Sequence, residues 1–528
     1  MSKRGNLGLG LALVITAGLG VGGVWLLNQV SPGLLGGLVN QNNQGSSSNL
    51  TTSPDRLTRL SVMGDTFSGY STFRSSAFTD VLKKSGIDLV YTNEFDQAKR
   101  ATALNDGQID LMVTTLDQFL KQQPQGKIVG LIDRTIGADA VVLNTRQYPQ
   151  LKSLLDLNQL VKQSQAKGQR LAIAFAGDTP SEYLALVLDT KFEAFNLSEF
   201  EVKKVADASE AWKLMQDPQQ AVAIAVLWEP FVTQARQQGN TIVLSSQDAP
   251  KAIVDVIVAS DRLIQAQPQV ISTLLADYYR RIDANVRDAS QLQQQIASDG
   301  NLSAADAGAV LRGIDFFTAP EAQTWMTDGS LKQRIGSTAA VLVLAGRLNQ
   351  VPPRPDDLFT PQFLTKATEN TQTLISLIRA DSPDLADKLA GKGSGVTPSR
   401  PVLTASQIKA APSIGNLQVR GEVKFGTGSA TLTQTGQQTL NQLAQEIAEF
   451  NPDTVAVRVI GHTSRTGSAS VNQALSQERA QVVGNYLRDR GLKQTISAEG
   501  KGFSTPLPGI PPADARNQRT EIRLVRVS

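Results

Sequence analysis

The groups best suited to recognising a ligand gather near the C-terminus. Residues 455–460 read as a strand and Gly461 marks a turn. The loop after it, His462, Thr463, Ser464, Thr466 and Gly467, is rich in hydroxyls. An amphipathic helix follows, with Leu475, Val482, Val483, Tyr486 and Leu487 on one side. Asn472, Ser476 and Arg479 fall one to two helical turns apart, so the three can line one face. A fixed guanidinium beside hydroxyls suits a planar carboxylate, which its paired N–H groups grip as a fork. This is binding chemistry. His462 is the only histidine and there is no cysteine. That excludes a thiol nucleophile, a thiolate metal site and disulfides, and argues against a His-based triad or a multi-histidine zinc site. His462 itself reads as an orienting hydrogen-bonder.

A second set of polar groups sits at expected strand ends: Thr66 and Ser68, Thr114 and Thr115, Thr179 and Ser181. Each precedes a helix. Open backbone N–H groups and the helix dipole make such ends receptive to anions. The plainer reading makes each hydroxyl a helix cap. At Thr179-Pro180-Ser181-Glu182 the sequence spells a capping box, with Pro at the first helical position. Paired carboxylates elsewhere could serve acid–base chemistry. None falls in a motif with a nucleophile, so no catalytic residue, cofactor or metal site is expected.

The elements that must position these groups follow from pattern. The 528-residue chain is too long for one core and implies two or three domains. Charge is balanced at 51 basic against 48 acidic residues, and aromatics make up 5%. Neither favours a nucleic-acid partner. Lys3 and Arg4 precede an uncharged, Gly-rich apolar run over 7–27, long enough to span a bilayer as a helix. It reads as a retained signal anchor (1–30), a cleaved signal being the alternative, with everything after it exported to the periplasm. Residues 31–56 read as a flexible linker. Apolar runs over 60–63, 89–92, 111–113, 141–143, 171–175 and 223–227 read as strands alternating with helices, which implies parallel sheets with ligands at the strands' carboxyl ends. Residues 268–346 are helix-rich and brace the first lobe. Residues 350–357 break the pattern, 351–390 form a helical extension, and 391–417 read as a second linker. Then come a strand over 419–425, a helix over 435–450, and the elements around Gly461.

Residues 57–350 resemble the solute-binding proteins of ABC importers, in the nitrate, sulfonate and taurine group with the type II periplasmic fold. The phrases that carry this are Ser68-Gly69-Tyr70, the run from Leu104 to Asp110, the run from Asp133 to Ala140, the run from Ala225 to Phe231, and Asp255-Val256-Ile257-Val258-Ala259. The resemblance implies an α/β two-lobed fold, with crossovers near 143–146 and 244–247 and a solute cleft between the lobes. It carries over as cleft residues Thr66, Ser68, Gly69, Tyr70, Thr115, Asp139, Thr179, Ser181, Trp228, Glu229 and Asp255. Asp139 and Glu229 favour an amino or cationic group, and the hydroxyls favour an anion. Trp228 stacks on a ligand or packs the strand end. An inner-membrane permease would be the partner for transport. A non-transport envelope scaffold or sensor is the alternative.

Residues 418–528 resemble the OmpA-like peptidoglycan-binding module, an α+β domain. The matching motifs are Gly461-His462-Thr463-Ser464 with Gly467, then Asn472, Leu475-Ser476, Arg479-Ala480, then Gly500-Lys501-Gly502, then Asn517-Gln518-Arg519. In that family an Asp and the helix Arg grip the ammonium and carboxylate of diaminopimelate in the stem peptide. The resemblance implies peptidoglycan contacts at Ser464, Thr466, Asn472, Arg479, Gln518 and Arg519. Ser464 stands where the family has Asp, and Gln518 where it has Arg. Trading a charged hydrogen bond for a neutral one weakens binding by about ten- to a hundred-fold.

Overall fold

The computed structural model describes residues 57–392, 403–419, 422–426 and 428–527. The expected membrane helix and first linker lie outside these residues. Among the described residues no helix is long and apolar enough to cross a membrane.

The chain opens with β1 (Thr58–Gly64), β2 (Ile87–Asn93), β3 (Leu111–Thr115) and β4 (Gly126–Thr135). It then passes into a second sheet: β5 (Asp139–Leu143), β6 (Ala172–Ala176), β7 (Glu201–Val205), β8 (Val222–Trp228) and β9 (Thr241–Ser245). β10 (Val254–Ser260) and β11 (Ile314–Phe316) return to the first sheet. The orders are β11-β4-β10-β3-β1-β2 and β7-β6-β8-β5-β9. Every residue of β3, β5, β6 and β10 is buried. That explains why these strands are short continuous apolar runs without alternation. The architecture is the expected two-lobed α/β body. The sheets are mixed, however, because β10 runs antiparallel to β3 and β4, and β5 runs antiparallel to β8 and β9.

The first crossover differs from the expected 143–146. It is the short segment 136–138, because β5 pairs with β8 and β9 of the second sheet. The second crossover is 246–253. Ser246 ties the two together: its hydroxyl accepts from Gly137 N–H at 2.8 Å and its N–H donates to Asp139 O at 2.8 Å. Lobe one is completed by helices after β10 and by Thr365–Ile378, where Thr371 donates to Asp283 at 2.7 Å.

The third sheet has the order β12-β15-β13-β14, from β12 (Ser413–Asn416), β13 (Val455–Gly461), β14 (Ile496–Gly500) and β15 (Thr520–Arg526). This corrects two expectations. The stretch 391–417 is not linker throughout, since 405–410 is a helix capped by Thr404 and Gln407, and 413–416 is the edge strand. No strand lies among the described residues of 419–425; Phe425 makes one isolated bridge to Leu432. Ile414 and Leu417 are fully buried, so the edge segment belongs to the core.

The C-terminal domain is not held on a free tether. Residues 57–528 form one compact unit. One apolar cluster runs from Leu143, Leu154 and Phe192 of lobe two into Leu440, Ile447, Phe450 and Val457 of the C-terminal domain. The Phe192 and Phe450 rings meet edge-on at 6.2 Å. Backbone bonds stitch the seam, from Glu193 N–H to Asn416 O at 3.0 Å and from Gln418 N–H to Lys191 O at 2.8 Å.

Candidate functional site

The C-terminal constellation is built by close packing of helix Ala469–Asp489 on β13 and β14. A Cβ at Gly461 would stand 2.2 Å from Ser476 O, and one at Gly500 would stand 2.3 Å from Gln477 N. Those glycines are demanded by helix–sheet contact. Ser468 caps the helix by accepting from Val471 N–H. Asn472, Ser476 and Arg479 share the buried face, as their spacing requires.

Each polar group on that face has a distinct task. Asn472 Nδ2 donates to Thr466 O at 2.7 Å and to Ser468 O at 3.0 Å, which fixes the loop. Ser476 Oγ accepts from Gly502 N–H at 2.8 Å, which fixes the far turn. Arg479 Nε donates to Ser429 O at 2.9 Å, and its guanidinium lies 4.9 Å from the centre of the Phe425 ring. Burial lowers its pKa. Its two terminal amino groups make no hydrogen bond among the described residues. Carbonyl and ring thus hold the guanidinium while its fork stays available for a carboxylate.

The two departures from the family motif meet each other. Gln518 Nε2 donates to Ser464 Oγ at 3.0 Å, and Ser464 Oγ lies 3.4 Å from Thr466 Oγ1. Ser464 is buried, whereas Thr466 and Gln518 are exposed. A neutral pair therefore occupies the place of a charged one. Arg519 is committed elsewhere, with Nε and Nη2 on Glu521 Oε1 at 3.0 and 2.7 Å. Glu521 also faces His462 Nε2 at 3.2 Å and Arg523 Nη2 at 3.0 Å. Burial would raise this carboxyl, but His462 and Arg519 outweigh it and hold the group at about 2. His462 Nδ1 meets Thr505 Oγ1 at 2.9 Å, in keeping with an orienting role.

The cleft residues fall into three groups. In the first, Tyr70 donates to Asp255 Oδ1, and Asp255 pairs in register with Thr115. Gly69 packs so closely that a Cβ there would be 2.2 Å from Asp133 Oδ2. Thr66 is exposed and Ser68 half-buried beside them. In the second, Asp139 pairs in register with Trp228. Burial, then Glu229, raise the Asp139 carboxyl to about 7. Glu229 accepts from Thr233 N–H at 3.0 Å and Thr233 Oγ1 at 2.9 Å, so it caps the helix Phe231–Gln237. In the third, Thr179 accepts from Ser181 N–H at 3.2 Å. The capping box is displaced, because Glu182 accepts from Asp178 N–H at 2.7 Å and not from the cap's own. Its other oxygen is drawn off by Lys204 at 2.7 Å and Arg347 at 3.1 Å.

Asp133 links the first two groups. It is fully buried, and among the described residues neither carboxyl oxygen has a hydrogen-bond partner. Burial, then Asp315, raise its pKa, with Asp139 adding; burial, then Asp133, raise that of Asp255. The sequence marks Asp133 only as the first residue of a resembling phrase; its burial beside other carboxyls shows only in the fold.

The lobes are in contact. Lys121 of lobe one pairs with Asp178 of lobe two, and Arg347 with Glu182. Tyr183, Leu186 and Val187 of lobe two join the apolar core of lobe one. Two surface depressions, of about 260 and 170 Å³, lie away from the cleft; the second is lined by Asn144, Trp212 and Asn240, at the opposite end of β5 from Asp139.

Residues 424–520 match the OmpA family. Outer membrane protein A of Shimwellia blattae is 41% identical over 92 residues, 17% of this chain and 38% of that protein. The protein of that name from Citrobacter freundii is 36% identical over 110 residues, 21% of this chain and 46% of that protein. The chain thus spans less than half the length of these curated relatives. Among solved structures, the periplasmic aliphatic sulphonate binding protein SsuA from Escherichia coli aligns with 58% of this chain and 93% of its own, at 15% identity and a TM-score of 0.45. The desulfurization enzyme DSZB aligns with 59% of this chain and 99% of its own, at 13% identity and a TM-score of 0.42. Likenesses at this level add nothing to the topology already described.

Proposed function

We propose that this is a cell-envelope protein whose C-terminal domain docks on peptidoglycan, carrying a two-lobed module built to hold a small solute. The observation that supports wall docking is Arg479. Its guanidinium is held on the Phe425 ring and the Ser429 carbonyl with its terminal amino groups free among the described residues. That is a carboxylate receptor at the position where the resembling family grips a stem-peptide carboxylate. Ser464, Thr466, Asn472 and Gln518 shape the neighbouring wall, while Arg519 supports it through Glu521. The test is co-sedimentation of the full chain with insoluble peptidoglycan. The wild type should pellet and Arg479→Ala should not. Equal pelleting of the two would overturn the assignment.

For the two-lobed module, the solute reading rests on the strand-end groups, with Thr66, Ser68, Gly69, Tyr70, Thr115, Asp139, Thr179, Ser181, Trp228, Glu229 and Asp255 as its site. An anchor over 7–27 would hold the chain at the inner membrane beside a permease. A specific observation favours the second reading, a non-transport scaffold or sensor: Tyr183, Leu186 and Val187 weld lobe two into the core of lobe one. A solute carrier must part its lobes, and parting these exposes apolar surface. Titration with a panel of sulfonates and amino acids, read by Trp228 fluorescence against Trp228→Phe, separates the two. Saturable quenching lost in the variant supports capture.

A further inference from the structure

The C-terminal domain touches lobe two, the second crossover and lobe one. It is fused to lobe two through the seam at Phe192 and Glu193 and the shared core behind it. It holds the second crossover directly. Asn451 N–H donates to Asp248 O at 2.8 Å, and Asn451 Nδ2 donates to Gln247 O at 3.1 Å. Arg526 reaches the same crossover and the strand before it, with Nε 3.1 Å from Asp248 Oδ2 and Nη1 donating to Ile242 O of β9 at 3.1 Å. Asp248 is fully buried, and its Oδ2 also accepts from Ser245 N–H at 2.8 Å. Ser246, beside these residues, bonds the first crossover at Gly137 and Asp139. Both hinge strands are therefore tied to one clamped point.

The third contact crosses to lobe one. Glu449, just beyond helix Gln434–Ile447, pairs with Arg334 on helix Ser330–Leu344. Arg334 is 6% exposed and also donates from Nε to Thr338 Oγ1 at 3.2 Å. Its charge acts on the neighbouring Tyr183 of lobe two, as does that of Glu449. Lobe one, lobe two and the C-terminal domain thus meet at one largely desolvated ion pair. A buried pair is strongly felt when one partner is removed, because the other charge is stranded.

A body attached to both lobes cannot follow both when they separate. The attachment to lobe two is a continuous apolar core with backbone bonds. Among the described residues, the attachment to lobe one runs through the Arg334–Glu449 pair. We infer that the C-terminal domain is mechanically part of lobe two and acts as a latch, with Glu449 closing on Arg334 to hold the lobe angle and the Asn451–Arg526 grip stiffening the hinge. Opening of the lobes breaks the Glu449–Arg334 contact and leaves the seam with lobe two intact. A domain that binds outside the body therefore also sets whether the body opens.

The absence of cysteine makes the test direct, because any two introduced cysteines are the only ones in the chain. Spin labels at Lys83→Cys and Lys167→Cys report the lobe one to lobe two distance. Labels at Lys167→Cys and Asp489→Cys report lobe two to the C-terminal domain. All three sites are exposed. Wild type should give one narrow distribution for each pair. Glu449→Gln should add a longer lobe-to-lobe component, raising the open fraction by about ten-fold or more, while the second pair stays narrow. Arg526→Gln with Asn451→Ala should broaden the lobe-to-lobe distance without Glu449 being touched, which guards against a local defect at that residue. Unchanged lobe-to-lobe distances in both variants overturn the latch. So does a broadened second pair in Glu449→Gln, since the domain would then be leaving lobe two. Wall binding through Arg479 is read by a different assay, so either conclusion fails alone.

Discussion

Asp139 gives the sharpest energetic test of the lobe-facing cluster. Its carboxyl is 4% exposed and is raised from 3.8 to about 7, first by burial and then by Glu229. A carboxyl with a folded-state pKa above its unfolded value makes the native state bind the proton more tightly. Its stabilising contribution is complete below the unfolded pKa and is lost as pH rises through the folded one. At about 1.36 kcal/mol per pKa unit, the whole loss is about 4 kcal/mol, of which about 2.5 kcal/mol falls between pH 5 and 8. Asp139→Asn cannot ionise. The stability of the variant minus that of the wild type should therefore climb by about 2.5 kcal/mol over that window and flatten above it. Urea midpoints at half-unit pH intervals measure this. Contributions from groups that do not sense residue 139 cancel in the difference. A difference that stays flat from pH 5 to 8 refutes the argument, because the native carboxyl would then be ionised throughout. Glu229→Gln should shift the climb to lower pH by a minor part, since burial is the larger cause.

Three further outcomes test the C-terminal domain. Gly461→Ala drives a methyl to 2.2 Å from Ser476 O, a backbone atom that cannot swing away, and should lower stability by about 1–3 kcal/mol in thermal melts. Phe450→Ala opens the core shared with lobe two and should destabilise by about 3–5 kcal/mol; calorimetry should show lobe two and the C-terminal domain weakened together, and a separate unshifted transition for lobe two would contradict the shared core. Ser464→Asp places a carboxylate opposite Gln518 and, where the wall ligand offers an ammonium, should tighten peptidoglycan binding by about ten-fold or more in co-sedimentation.

Much of the fold was legible because buried strands leave short apolar runs, and the runs at 111–113, 141–143 and 171–175 all became strands. The sheet each one joins was less legible. Val141, Val142 and Leu143 look the same whichever lobe they serve, and only pairing with β8 and β9 moved the crossover to 136–138. The edge strand Ser413–Asn416 escaped notice because it is short and flanked by Pro and Ser residues typical of linkers. Its signal was Ile414 and Leu417, two apolar residues in an otherwise small and polar stretch, both buried. In the site, spacing alone placed Asn472, Ser476 and Arg479 on one face. The Ser464–Gln518 bond was not readable, because residues so far apart in sequence are joined only by the β13–β15 pairing that sets Gly461 opposite Thr520.

The same pairing decides how the two ends of the domain relate. β13 and β15 run antiparallel over seven residues, with Val455 opposite Arg526 at one end and Gly461 opposite Thr520 at the other. At about 3.3 Å per residue those ends stand roughly 20 Å apart. Arg526 and the nearby Asn451 grip the hinge, while Ser464 and Gln518 lie beyond the opposite end. A stem peptide at Arg479 and a latched body are therefore compatible, because neither needs the other's surface. Under the proposed function the domain would serve less as a leash than as a fixed mount, presenting the two-lobed module to the wall at a set orientation. It follows that lengthening the segment 393–402 should leave that orientation unchanged, since the seam at Phe192 and Leu417 sets it. The lobe two to C-terminal label pair would detect any shift, and a distance that grows with the insertion would show that the chain, and not the seam, holds the domain in place.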